Sequence, residues 1–223
     1  MYRLDGKIIP REPALALWRN KSVIKNATPE AVRRFALAFH FSISTHTDVL
    51  RKSGESYYRH DCRVATRIMS YFDDDLDLVS ASLLHEAIED DGITAESLRR
   101  DFGDKITDLV VAVTKLPKDN FPEEIGGRKA RLEDHIERIK TACNRNWRVL
   151  VIKIADRLEN TTDTAGLSDE DKERMFVETE THFLPLFRWG AQYVDFEHQK
   201  VVNMWVQEIE FSCDNYIRSQ VLL

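Results

Sequence analysis

Apolar residues recur along this chain at the spacing of a helix and rarely at that of a strand. Leu132, Ile136, Ile139 and Cys143 fall at i, i+4, i+7 and i+11, one stripe of a 3.6-residue repeat. Val64, Ala65, Ile68, Met69 and Phe72 line one side of a helix predicted from Tyr58 to Phe72. Eight glycines and six prolines in 223 residues leave few places where such runs must break. The one strand-like stretch, VLVIKIA, lies within a helix predicted from Asn146 to about Thr162 and must be largely buried.

Local punctuation places the other elements. Thr28 and Pro29 open a helix as N-cap and first helical residue. A helix from about Leu76 to Asp90 is apolar around most of its circumference, so it is expected at the centre of the fold. Thr94 caps a short helix stopping at Phe102-Gly103, and Asp104 opens another that ends before Pro117. Residues 117–127 form a loop, and an amphipathic helix starts near Arg128. Ser168 heads a capping box for a helix reaching Gly190. The fold class expected is all-α: a single helical bundle over 27–190 with an extra C-terminal helix. Residues 1–26 read as an N-terminal extension. Residues 191–223 read as a helix packed on the bundle or at an interface in a homo-oligomer.

Charge and cysteine usage narrow the function classes. The formal net charge of −6 argues against a nucleic-acid partner, which calls for a basic surface. No uncharged apolar run reaches the roughly 18 residues of a membrane span, and the N-terminus lacks the apolar core of a secretory leader. Cys62, Cys143 and Cys213 are far apart with no CxxC spacing, which reads as free thiols in a reducing cytoplasm. The expected location is cytoplasmic, with no membrane partner.

The chemistry is expected at polar residues set into apolar surroundings. In LLHEAIEDD, His85, Glu86, Glu89 and Asp90 span an arc of roughly 140° if the helix continues through them. Burying several carboxylates costs several kcal/mol each unless solvent or a cation compensates them. A second polar island carries Lys153, Asp156 and Asn160, with Asp156 and Asn160 at i, i+4. A third candidate, His60, opens the helix after Tyr57. His60, His85, Glu86 and Asp156 would offer a cation two nitrogens and two carboxylate groups. That mixed set suits Mn²⁺, Fe²⁺, Co²⁺ or Zn²⁺ better than Ca²⁺.

In this order the blocks resemble the HD-domain superfamily, and within it the hydrolase domain of the RelA/SpoT alarmone enzymes and the small alarmone hydrolases. Gly54-Glu55-Ser56-Tyr57-Tyr58-Arg59-His60 resembles "GxPYxxH", and Ala81 to Asp90 resembles "AALLHDxxED". Phe102-Gly103 followed by Leu109 to Leu116 is similar to "FG…LVxGVTKL". Arg148 to Asn160 is similar to "RVxxIKLADRLHN", and Glu178-Thr179 through Gly190 to "ET…PLxxRLG". The resemblance runs from about Ala31 to Gly190.

The resemblance implies a helical HD-domain bundle and a metal-dependent 3′-pyrophosphohydrolase acting on guanosine nucleotides of the (p)ppGpp type. It implies one divalent ion, Mn²⁺ by preference, held by His60, His85, Glu86 and Asp156. Glu89 and Asp90 would orient and deprotonate the attacking water. Lys153 and Asn160 would hold ribose or phosphates, and Arg51 and Lys52 would lie near the base. Glu86 stands where the pattern has Asp, Asp61 where it has Pro, and Phe183 where it has Tyr. The resulting His60-Asp61 pair lacks the apolar helix before it and the ED after it, so it is not read as the metal doublet. About 33 residues follow Gly190, too few for a synthetase domain, so a bifunctional chain is not expected. Two other functions are compatible with the same blocks. One is an HD-type phosphohydrolase of another nucleotide, such as the 2′-phosphate of NADPH or a nucleoside phosphate. The other is a catalytically silent module binding a nucleotide or a partner protein.

Overall fold

The computed structural model describes residues 27–46, 48–89 and 93–221, together with two short strands at 2–4 and 7–9. Strands β1 (Tyr2–Leu4) and β2 (Lys7–Ile9) pair antiparallel, with Tyr2 opposite Ile9. This hairpin lies in the segment read as an extension, and the body of the chain is helical.

Helix α1 (Pro29–His46) starts as its sequence dictates, with the Ala31 amide donating to Thr28 Oγ1 at 3.2 Å. Helix α2 (Tyr58–Met69) buries Cys62, Val64, Ala65 and Ile68. It stops short of the expected Phe72, which is buried just beyond its end. Helix α3 (Leu76–Leu83) is capped by Asp75, whose Oδ1 accepts from the Leu78 amide at 3.0 Å. As expected it is central, packing on α1, on α2 and on α5 (Asp104–Val113). Between them, α4 (Ala95–Phe102) carries a reciprocal Thr94–Ser97 capping box. Gly103 follows at φ +82°, a conformation that disfavours any side chain.

The expected continuous helix from Leu76 to Asp90 ends instead at Leu83. Leu84 leaves helical geometry (φ −108°, ψ 7°), and three-residue turns follow: Leu84 N to Ala81 O, Ala87 N to Leu84 O, Glu89 N to Glu86 O. The cause is competition for backbone carbonyls. Ser80 Oγ donates to Leu76 O, Ser82 Oγ to Val79 O, and His85 Nδ1 lies 2.8 Å from Ser82 O, the carbonyl an α-helix would offer to residue 86. The 140° arc drawn for a regular helix therefore does not describe residues 85–90.

Helix α6 (Gly127–Cys143) and helix α7 (Arg148–Thr162) complete the bundle. Every residue from Val149 to Glu159 is buried, because α2, α5, α6 and α10 (Phe196–Val221) all pack on α7. Burial on every side makes VLVIKIA a core helix despite its β-branched residues. Helix α8 (Asp169–Glu178) opens with Ser168 Oγ accepting from the Asp171 amide. The helix expected to run on to Gly190 is interrupted by a π-helical turn at Thr179–Phe183 before α9 (Leu184–Gly190). Helix α10 docks through Trp205, which is fully buried with its ring 5.8 Å from Phe72 and 5.7 Å from Tyr71. Truncating a buried Trp of this kind costs about 3–5 kcal/mol. All three cysteines are free and buried. Among the described residues no helix is long and apolar enough to cross a membrane.

Candidate metal centre

Three elements bring the polar residues together. Helix α7 sets Lys153, Asp156 and Asn160 on one face at i, i+3 and i+7. Helix α2 delivers His60 in its first turn, fully buried, and the turns after α3 deliver His85 and Glu86.

Asp156 is the hub. Its Oδ2 accepts from Lys153 Nζ at 2.7 Å, and its Oδ1 accepts from Asn160 Nδ2 at 2.7 Å. The same Oδ1 lies 3.2 Å from His60 Nε2 and 3.7 Å from His85 Nε2. Burial pushes this carboxyl up. The charge of Lys153, the hydrogen bond from His60 and the nearby His85 imidazole overrule it and hold Asp156 well below the usual carboxylate range.

His60, His85 and half-buried Glu86 each present a ligand atom within 4.8 Å of the other two. Asp156 joins this triad through the imidazoles. The His85 Nδ1–H is committed to Ser82 O, and its buried Nε2 has no hydrogen-bond partner among the described residues. A buried imidazole nitrogen with nothing to bind, facing a carboxylate, is the arrangement a divalent cation fills. The donor set of imidazole nitrogens and carboxylate oxygens fits a first-row divalent ion. Without an ion, burial pulls His85 down. The nearby Asp156 carboxylate, reinforced by Glu86 and Asp61, outweighs it and raises His85 to about 9. A proton then occupies the place of the cation. Tyr57 lies beside Glu86, and burial followed by that carboxylate pushes its phenol up.

The other expected residues divide. Arg51 reaches the centre indirectly, donating to Asn160 Oδ1 at 3.0 Å with its guanidinium 5.5 Å from the Tyr57 ring centroid. Lys52 is exposed and ion-pairs with Asp171 of α8, which places its ammonium on that contact and not at Asp156. Exposed Glu89 accepts from the Lys115 amide at 3.0 Å and borders a cavity of about 650 Å³. Asp90 lies outside the described residues. Asp61 meets Ser42 and His46 through Oδ2, and its Oδ1 lies 3.9 Å from His85 Nδ1.

Two cations had no role assigned from sequence. Lys115 feels Lys153 and Arg157; burial, then those like charges, lower it, while Glu89 and Asp156 oppose. Arg157 is buried with its guanidinium 3.7 Å from the Phe183 ring centroid. Three like charges gathered beside the carboxylates make a seat for an anion. The signal for Lys115 was its place in the TKL block, and for Arg157 its place in the ADRL stretch, four residues after Lys153. His135 is buried nearby with neither ring nitrogen partnered, and burial with the surrounding cations pushes it down to about 2.

Fold and centre together define a helical domain built around a buried histidine–carboxylate cluster able to hold a cation. The chain belongs to the HD domain family, whose pattern matches residues 38–188. It is 32% identical over 169 residues to a Synechocystis protein named probable guanosine-3′,5′-bis(diphosphate) 3′-pyrophosphohydrolase, covering 72% of this chain and 22% of that one. It is 36% identical over 188 residues to a GTP pyrophosphokinase of Streptomyces coelicolor, covering 83% of this chain and 21% of that one. The chain thus spans about a fifth of the length of these relatives. A solved structure of a metazoan ortholog of SpoT, described as hydrolysing ppGpp, matches with TM-score 0.56 at 23% identity, covering 85% of this chain and 97% of that one. At that identity the likeness is one of fold.

Proposed function

We propose that this chain is a divalent-metal-dependent phosphohydrolase that releases pyrophosphate from guanosine 3′-pyrophosphates, with Mn²⁺ as its ion. The observation that carries the reading is the unpartnered His85 Nε2 facing Asp156, beside the buried cations Lys153 and Arg157. His60, His85, Glu86 and Asp156 would hold the ion. When bound, such an ion lowers the pKa of water and offsets phosphate charge.

The chain's own residues supply the rest. Lys153, Lys115 and Arg157 neutralise the pyrophosphate as its bond to the ribose 3′-oxygen breaks. Arg51 and Asn160, joined at 3.0 Å, form a fork for the nucleoside. Glu89 and Asp90 orient the attacking water and accept its proton, which is returned to the 3′-oxygen. The names of the relatives, given above, support a guanosine substrate.

The test is a nucleotide panel assayed with added Mn²⁺. Pyrophosphate release from a 3′-pyrophosphorylated guanosine is expected. Orthophosphate release confined to another nucleotide, such as NADPH, would replace the substrate. A protein that binds Mn²⁺ yet is inert to the panel would replace the enzyme by a binding module.

A further inference from the structure

Asp61 is fully buried, and a buried carboxylate is costly unless its charge is used or paired. Its two oxygens have different surroundings. Ser42 Oγ donates to Oδ2 at 2.7 Å, and His46 Nδ1 lies 2.7 Å from the same oxygen. The other oxygen, Oδ1, is buried with no hydrogen-bond partner among the described residues. It lies 3.9 Å from Nδ1 of His85, the edge of the imidazole away from the nitrogen that faces Asp156. Two residues of α1 thus hold one side of an α2 carboxylate and leave its other side facing the back of His85.

We infer that Asp61 is a positioning residue for the metal centre: its anchored carboxylate keeps the His85 ring aimed and adds negative charge behind it, strengthening His85 as a ligand. This rests on the metal reading of His60, His85, Glu86 and Asp156. Ser82 O fixes which ring nitrogen carries hydrogen, and Asp61 supplies the charge that a carbonyl lacks. The centre needs that charge, because Asp156 already shares its own with Lys153 at 2.7 Å. The resembled family pattern has proline at this position, and this chain has Asp61.

The experiment measures Mn²⁺ affinity of the metal-stripped protein by competition with a fluorescent chelator, alongside the melting temperature of the same metal-free samples. Asp61→Asn keeps the shape and the contacts to Ser42 and His46 but removes the charge. Asp61→Ser is the second, smaller neutral variant. Both are expected to bind Mn²⁺ about 10–100-fold more weakly than wild type. Their metal-free melting temperatures should stay within about 4 °C or rise, since a buried charge has been removed. Unchanged Mn²⁺ affinity in the folded variants overturns the role of Asp61 alone. Loss of the fold in both variants assigns Asp61 to the core and overturns it as well. A wild-type protein that takes up no divalent ion overturns the metal centre and this role together.

Discussion

His85 Nδ1 lies 2.8 Å from the carbonyl oxygen of Ser82, and that contact decides both where α3 stops and which ring nitrogen is free. It closes the helix at Leu83 and leaves Nε2 pointing at Asp156. Local backbone geometry and the centre's chemistry are thus one event. The turns that follow also carry Glu86 into reach of His60.

Replacing Asp156 by Ala should abolish turnover and Mn²⁺ uptake together. It should also destabilise the protein by about 3–5 kcal/mol, because Lys153 is left as a buried charge without its partner. A melting temperature lowered by about 6 °C or more is expected. Near-normal Mn²⁺ binding by the variant would remove Asp156 from the ligand set.

Metal-free stability should fall as pH rises from neutrality. His85, ordinarily at 6.5, is raised to about 9 in the fold. A group raised by folding stabilises fully below its unfolded value and loses that contribution as pH climbs through its folded one. The window is therefore 6.5 to about 9. Asp156, held low, acts with the opposite sign and at the acid end, losing its contribution progressively as pH falls below 3.8. Melting curves of metal-free wild type and His85→Gln should diverge below pH 9 and converge above it. Parallel curves would refute the assignment. Apparent Mn²⁺ affinity should rise about tenfold per pH unit across the same window, as the ion displaces one proton.

Glu86→Asp should weaken Mn²⁺ binding by about 10-fold or more. The carboxylate of Glu86 already lies within 4.8 Å of the ligand nitrogens of His60 and His85, and shortening it withdraws the oxygen by about an ångström. Chelator competition reads the loss. Affinity equal to or above wild type would mean that Glu86 is strained in this centre.

Gly166 should not tolerate a side chain. It sits at φ +77°, and a Cβ there would lie 2.2 Å from the Lys52 carbonyl oxygen. Gly166→Ala should cost about 1–3 kcal/mol and loosen the approach of the Arg51–Lys52 turn to α8. Urea titration checks this, and a variant as stable as wild type would contradict it.

The candidate ligands were legible in the one-dimensional order, because ligand chemistry restricts residue type: His60, the His85-Glu86 doublet and Asp156 stand in three distinct blocks. The helices were legible for a similar reason, since a 3.6-residue repeat of apolar side chains has one regular solution, even for the β-branched run in α7. The end of α3 was set by a local contact that apolar periodicity does not record, an imidazole competing for a carbonyl three residues back. Two features were decided only by tertiary contact. The anchoring of Asp61 depended on Ser42 and His46, side chains of another helix. The gathering of cations depended on Lys115, from the segment after α5, arriving beside Lys153 and Arg157 of α7. Periodicity records which face of a helix is buried; what that face meets is a property of the assembled bundle.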